Sequence, residues 1–251
     1  MKAMILAAGY GTRLKPITNN IPKALVEVNN ITLLENAINT VAKFGFDDVL
    51  INIHYFAEKI KNFIDNNNFS VKVTISDESK RLLDIGGGLK NVSWFFDNEP
   101  FLLFNVDIVS DINLSKMMEF HKSSEALVTL ATRKRKSSRY LLFDEDNKLV
   151  GWRNDKNGEE KLVRKSDTFF KQTAFSGIHI IEPKIFELMP KKNKFSIIEL
   201  YLNLANDYWL QSYDHSDSQW VDAGKKQGLI QAREILNKNK KIRTGTKNEN
   251  N

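Results

Sequence analysis

The sequence contains no cysteine, which excludes disulfides, thiolate metal sites and cysteine nucleophiles and fits a reducing compartment. No uninterrupted apolar run approaches the roughly 20 residues that span a bilayer, so no transmembrane helix is expected. The apolar stretch at 3–8 breaks into Gly9-Tyr10-Gly11-Thr12-Arg13, too short for a signal-peptide core, and the chain is read as cytoplasmic. The four histidines, His54, His121, His179 and His215, lack metal-ligand spacing or a triad arrangement and are expected to be structural or surface residues. Acids are in deficit, 31 against 37 bases for a formal charge of +6, yet the excess is local. Residues 237–251 hold five Lys/Arg and one Glu, and residues 133–139 hold five bases and no acid, which leaves a mildly acidic body. The 133–139 run is read as a solvated basic face, and neither a nucleic-acid module nor a membrane partner is implied.

What is present is core-forming material: 251 residues, 41% hydrophobic and 27% charged, the balance of a globular domain. Short apolar runs at 4–8, 49–53, 71–75 and 101–106 read as strands. They alternate with helical patterns at 33–44, stopped by Gly45, at 58–66 and at 89–96. The strands show little polar alternation, as when both faces are covered. The expected fold class is α/β: a doubly wound, mostly parallel, Rossmann-like mixed sheet with helices on both faces.

After a helix at 115–121 the pattern turns β-rich at 126–132, 140–143 and 148–152, with a turn at 144–147. A polar stretch, 153–171, reads as a surface insertion before a strand at 174–181. Helices follow from Pro183, from Ser196 as a cap, and from just after Gly224 to Leu236. Residues 1–236 form one expected domain, and 237–251 an expected basic, disordered tail. Trp94, Phe95 and Phe96 are read as core.

The block Leu6-Ala7-Ala8-Gly9-Tyr10-Gly11-Thr12-Arg13 follows a buried strand. Its glycines permit a sharp turn that brings backbone amides against phosphate oxygens, and Thr12 and Arg13 add a hydroxyl and a guanidinium fork. It is neither a P-loop nor a dinucleotide fingerprint, because it lacks the Gly-Lys-Ser/Thr end and the third glycine. Lys23 lies just before an apolar run, in Pro22-Lys23-Ala24-Leu25. Asp107 ends a buried strand, where ligands bind in open α/β sheets, while Asp111 at Ser110-Asp111-Ile112 is expected to cap a helix.

Taken together, residues 6–26 resemble the signature of the sugar-1-phosphate nucleotidyltransferases, in which Gly-Thr-Arg is followed by Pro-Lys-x-Leu. The resemblance continues along the chain up to the tail. It implies a glycosyltransferase-A-like nucleotidyltransferase fold, with a nucleotide-binding half at about 1–114 and a sugar-binding half at about 115–236. Asp84-Ile85-Gly86-Gly87-Gly88-Leu89 resembles the small-residue loop over the nucleobase. The resemblance thereby implies nucleotide binding by Ala7, Ala8, Gly9, Gly11, Thr12, Arg13, Gly86, Gly87 and Gly88. Asp107 and Asp222, the latter in Trp220-Val221-Asp222-Ala223-Gly224, match the family's two Mg²⁺ carboxylates. Arg13 and Lys23 are the implied catalytic cations. Lys23, Asn105, Ser176 and Gly177 are the implied sugar-phosphate contacts, the last two in Phe175-Ser176-Gly177 on the sugar-side strand.

Two departures stand out. The family's Glu-Lys-Pro triplet before the sugar-side strand is missing, leaving only Lys156, Lys161, Lys165 and Lys171 for a second phosphate contact. The metal loop reads Asn-Val-Asp where Asn-Gly-Asp is frequent. The resemblance implies Mg²⁺-dependent transfer of a nucleotidyl group from an NTP to a sugar 1-phosphate, by a monomer or homodimer. The Gly-Gly-Gly and Phe-Ser-Gly stretches, with no hexapeptide-repeat domain, are most similar to the N-acetylmuramate 1-phosphate uridylyltransferases. Mannose-1-phosphate guanylyltransferases and choline-phosphate cytidylyltransferases come next, and a non-catalytic nucleotide-binding regulator is the reading from another class.

Overall fold

The computed structural model describes residues 1–164 and 170–245, with 239–245 in backbone only. The N-terminal half follows the expected alternation. Strand β1 (Lys2–Leu6) leads through the Gly-rich loop and a short hairpin, β2 (Glu27–Val28) and β3 (Ile31–Thr32), into helix α1 (Leu33–Lys43). Then come β4 (Asp48–Ile53), α2 (Ala57–Asp65), β5 (Lys72–Asp77), α3 (Asp84–Asn91), β6 (Phe101–Asn105), β7 (Ile108–Ser110) and α4 (Leu114–Lys122). Helix α1 shows why the pattern was readable. Leu33, Leu34, Ala37, Ile38 and Val41 fall on one buried face, and Thr32 Oγ1 accepts from Glu35 N at 3.0 Å to cap it. Gly45 ends the segment at φ 79°, a left-handed conformation that favours glycine.

The second half holds β8 (Val128–Arg133), β9 (Arg139–Phe143), β10 (Leu149–Asn154), β11 (Glu159–Leu162), β12 (Lys171–Ile181), α5 (Ile197–Leu204), β13 (Leu210–Asp214), β14 (Trp220–Asp222) and α6 (Lys226–Gly245). Ten strands form one mixed sheet, in the order β11-β10-β9-β12-β6-β1-β4-β5, with β8 beside β12 and β13 beside β8. Pairings β6–β1, β1–β4 and β4–β5 are parallel, whereas β12 runs antiparallel to β6, β8 and β9. One core layer packs α1, α2 and α4 against the sheet, and a second packs α3 and α5 on the opposite face. A third, smaller cluster joins β7, β14 and α6 through Val109, Val221, Leu229 and Ala232. No described helix is long and apolar enough to cross a membrane.

Several expectations are corrected. The glycines 86–88 lie inside α3, not in a loop. Their missing side chains let the helix pack tightly: a Cβ on Gly86 would meet the Phe195 ring, and one on Gly87 would overlap the Asn193 carbonyl. Part of the polar insertion forms strand β11, which pairs antiparallel with β10. Ser196 stands at the start of α5 but its side chain makes no capping bond. Asn113, not Asp111, caps α4, accepting from Lys116 N, while Asp111 accepts from Gln219 N at 2.7 Å. Trp94 is 68% exposed and so lies outside the core that Phe95 joins. Helix α6 continues past Leu236 to Gly245, so residues 237–245 of the expected disordered tail are helical. Asn29 Nδ2 donates to the Arg233 carbonyl and to Asn237 Oδ1, and lysine and arginine prolong a helix once it is nucleated. Residues 246–251 lie outside the described residues.

Candidate active site

The site gathers at the C-terminal ends of β1, β4, β5 and β6, where open parallel sheets leave room for ligands. After β1 the chain is anchored by Ala7 N, which donates to Asn52 Oδ1 at 3.0 Å and to the Asn52 carbonyl at 3.2 Å, and by Thr18 Oγ1, which donates to the Gly11 carbonyl at 2.8 Å. From Ala8 to Arg13 no backbone amide donates to a protein acceptor among the described residues. Successive free amides in a turn form an anion-binding concavity. Gly11 has φ 65°, and a Cβ there would lie 3.0 Å from Lys23 Cβ and 3.1 Å from Thr18 Cγ2, so glycine lets the loop close over Lys23. Thr12 and Arg13 open a 3₁₀ turn and are exposed, and Ala7 is buried.

Lys23 and Asp107 meet directly, Nζ to Oδ2 at 2.9 Å, with both side chains largely buried. Arg13 reaches Asp222, Nη1 to Oδ2 at 3.4 Å. Burial alone would raise the Asp107 carboxyl. The Lys23 charge and hydrogen bond, with Arg13 beyond, outweigh it and hold the group below the usual carboxylate range. The two aspartates are brought together by the β7–β14 pairing, in which Asp222 faces Ile108 and Ala223 N donates to the Asp107 carbonyl at 2.8 Å. Gly224 lies between them. Its N–H donates to Asp222 Oδ1 at 2.8 Å, and a Cβ on it would overlap Asp107 Oδ2 and stand 2.8 Å from Asp222 Oδ1 and 3.0 Å from Arg13 Nη2.

The donor set suits a hard divalent cation. The described residues contain no cluster of three or more His, Asp or Glu able to hold a metal. Two carboxylates converging on one point match magnesium, which keeps several waters and completes its shell with substrate phosphates.

A cleft of about 290 Å³ opens beside this pair, lined by Ala8, Gly9, Arg13, Lys23, Asn105 and Asp107 and by Asn52, Glu78, Asp84 and Ile85. Sequence reasoning missed Asn52 and Glu78. Asn52 Nδ2 donates to Glu78 Oε1 at 2.8 Å, and Glu78 also accepts from Leu83 N at 3.2 Å, so this buried pair ties the Gly-rich loop to the start of α3. The available signal was an asparagine within the apolar run of β4. Gly88 makes room for the pair, since a Cβ there would lie 2.7 Å from Glu78 Oε1. Of the residues expected over the base, Asp84 and Ile85 line the cleft while Gly86, Gly87 and Gly88 are buried behind it.

On β12, the strand expected to face the sugar, Gly177 has φ 77° at a break in the β12–β8 register, and a Cβ on it would press on Asn105 Nδ2 at 2.6 Å. Ser176 is fully buried and its hydroxyl bonds His215 Nε2 at 2.7 Å, so it shapes the strand from behind. His54, His121, His179 and His215 all hold structural hydrogen bonds, as expected. The basic run departs from expectation. Arg133 and Arg135 are half-buried and stack on Trp220, with guanidinium carbons 5.8 Å and 4.6 Å from its ring centroid. Arg135 also borders a second pocket of about 470 Å³, walled by Tyr140, Trp152, Phe175 and Leu202, with Arg139 and Lys161 on it.

The model of the family described as nucleotidyl transferase matches residues 2–239. A UTP–glucose-1-phosphate uridylyltransferase of Synechocystis sp. is 29% identical over 250 residues, covering 92% of this chain and 62% of that protein. A mannose-1-phosphate guanyltransferase of Saccharomyces cerevisiae is 27% identical over 237 residues, covering 92% of this chain and 63% of the relative. The chain thus spans less than two thirds of the length of these curated relatives. Among solved structures, a putative glucose-1-phosphate thymidylyltransferase from Bacillus anthracis superposes with TM-score 0.76 at 21% identity, covering 94% of each chain. HddC from Yersinia pseudotuberculosis superposes with TM-score 0.73 at 21% identity, covering 94% of this chain and 99% of that one. With the loop, the lysine and the two aspartates in one cleft and the family match running from residue 2 to residue 239, the chain belongs to the nucleotidyl transferase family.

Proposed function

We propose that this protein transfers a nucleotidyl group from an NTP to a sugar 1-phosphate, releasing pyrophosphate. The observation that carries the reading is the convergence of Asp107, Asp222 and Arg13 around Gly224, with Lys23 bonded to Asp107, beside a loop whose amides are free among the described residues. A regulator that only bound nucleotide would have little use for two converging carboxylates and a second cation.

The acceptor's phosphate oxygen already carries charge, so it forms its new bond to the α-phosphorus without a general base as the bond to pyrophosphate breaks. The chain's task is to overcome repulsion between anions and align them in line. Asp107 and Asp222 would hold a magnesium ion, which when bound supplies charge neutralisation for the NTP phosphates. The 8–13 amides and Arg13 receive the departing pyrophosphate. Lys23, now bonded to Asp107, turns to phosphate oxygens once the carboxylate is otherwise engaged. Gly9 and Gly11 keep the loop close enough for this, and Thr12 adds a hydroxyl at its exposed end.

The first substrate pair to try is UTP with N-acetylmuramate 1-phosphate, on the likeness of residues 86–88 and 175–177 and on Arg139 and Lys161 facing the larger pocket, where a carboxylate-bearing sugar gains most. GTP with mannose 1-phosphate is the second. The test is pyrophosphate release across the four NTPs with muramyl, glucosaminyl and mannosyl 1-phosphates and phosphocholine. Turnover with a sugar 1-phosphate that requires magnesium is expected, and Asp107→Ala and Asp222→Ala should each lower it by about a thousandfold. Absence of release from every pairing would return the chain to the class of nucleotide-binding regulators.

A further inference from the structure

The missing Glu-Lys-Pro lysine leaves the acceptor's phosphate with Lys23 but without an evident second cation, and the described lysines of the insertion do not fill the gap. Lys171 pairs with Asp214 at 3.5 Å, Lys156 is exposed in the turn after β10, Lys161 is exposed on the edge strand β11, and Lys165 lies outside the described residues. We propose that Arg135, reaching in from the β8–β9 connection, is the second cation that receives the acceptor's phosphate. This inference rests on the transferase reading given above.

Three observations carry it. First, Arg135 is fixed rather than solvated: one Nη2 donates to the Phe175 carbonyl at 2.9 Å and the guanidinium lies 4.6 Å from the Trp220 ring centroid. Second, its fork is only half used. Among the described residues, Arg135 Nε is buried with no hydrogen-bond partner, and so is Nη1 of neighbouring Arg133. A buried donor left unpaired is costly, and an oxyanion arriving at the Arg135 fork would satisfy its Nε with a charge-assisted bond. Third, the position is right. Trp220 and Asp222 stand two apart on β14 and therefore share a face, so the guanidinium stacked on Trp220 sits one strand step from the carboxylate. The charge of Asp222 accordingly acts on Arg135, partly offsetting the burial that lowers it. From there Arg135 faces the 470 Å³ pocket, whose Tyr140 and Trp152 offer apolar walls for a sugar ring.

The test pairs kinetics with a local probe that needs no turnover. Arg135→Met and Arg135→Lys are compared with Lys134→Ala, an exposed charge of the same segment, using muramyl, glucosaminyl and mannosyl 1-phosphates at saturating NTP. In Arg135→Met, kcat/KM for every accepted sugar 1-phosphate should fall about 10- to 100-fold, the loss expected for a hydrogen-bonded charge. KM for the NTP should stay within about twofold, Arg135→Lys should retain part of the loss, and Lys134→Ala should behave as the parent. The Trp220 indole N–H resonance should shift on titration with inorganic phosphate, and the apparent affinity should drop about tenfold in Arg135→Met. A loss confined to the carboxylate-bearing sugar, an equal rise in KM for the NTP, or a phosphate-induced shift unchanged in Arg135→Met would each overturn the proposal. Failure of the transferase reading shows itself differently, as a parent enzyme without turnover whose indole shift with phosphate still depends on Arg135.

Discussion

At the scale of single residues, two glycines four positions apart answer different questions. A methyl on Gly224 would collide with the ends of the Asp107 and Asp222 side chains, which can swing away, whereas one on Gly228 would collide with the Asp222 backbone carbonyl, which cannot. Gly224→Ala should therefore leave the melting temperature within a few degrees of the parent while turnover falls about a hundredfold or more. Gly228→Ala should lose about 1–3 kcal/mol of unfolding free energy. Thermal melts and pyrophosphate release on both variants check the pair, and equal loss of stability would refute the contrast. The four residues to which the proposed function gives the chemistry were readable in advance because Arg13, Lys23, Asp107 and Asp222 each sit in a short motif. Asn52, Glu78 and Arg135 were not. A solitary polar side chain in an apolar run carries no spacing, and a run of bases looks the same whether its guanidiniums face water or, like Arg133 and Arg135, a tryptophan ring.

At the scale of elements, the parallel half was legible because β1, β4 and β6 are buried on both faces and its helices carry one apolar stripe. The misreadings fall where tertiary packing overrides local preference. Glycine costs about 1 kcal/mol per residue in a helix, so Gly86-Gly87-Gly88 reads as a loop, yet it is helical because α3 lies against the segment that carries Asn193 and Phe195. Gly86 N even donates to the Phe195 carbonyl at 3.1 Å. Intrinsic propensity says that Gly87→Ala should stabilise, and packing says the opposite. The packing term should win, with a net loss of about 1–3 kcal/mol by urea unfolding, and a gain in stability would mean that α3 does not sit this close. Strands β13 and β14 were missed for another reason. Leu210-Gln-Ser-Tyr-Asp and Trp220-Val-Asp are short and polar, and become strands only because β8 and β7 present edges to them.

At the scale of the whole molecule, three buried histidines set the response to acid. Burial lowers His121 to about 4, His179 to about 3 and His215 to about 4. Unfolded histidines titrate near 6.5, so between pH 6.5 and about 4 the unfolded chain binds more protons than the folded one. Their contribution to stability is complete above pH 6.5 and is lost as pH falls, each adding a slope of up to about 1.4 kcal/mol per pH unit. Denaturant midpoints measured from pH 7 to 4.5 should fall steadily. Replacing His179 with a residue that does not titrate should reduce that slope, whatever it does to stability at pH 7. The β7–β14 pairing has a consequence in time as well as in space. Asp222 belongs to the last of the described strands and Asp107 to the loop after β6. A chain still leaving the ribosome can complete its parallel sheet and its Gly-rich loop while Asp107 stays quenched by Lys23. The carboxylate pair forms only after β14 has been made and has docked on β7, so on the proposed function a chain cut before β14 should be inert, and the order of synthesis would withhold the chemistry until the fold is nearly whole.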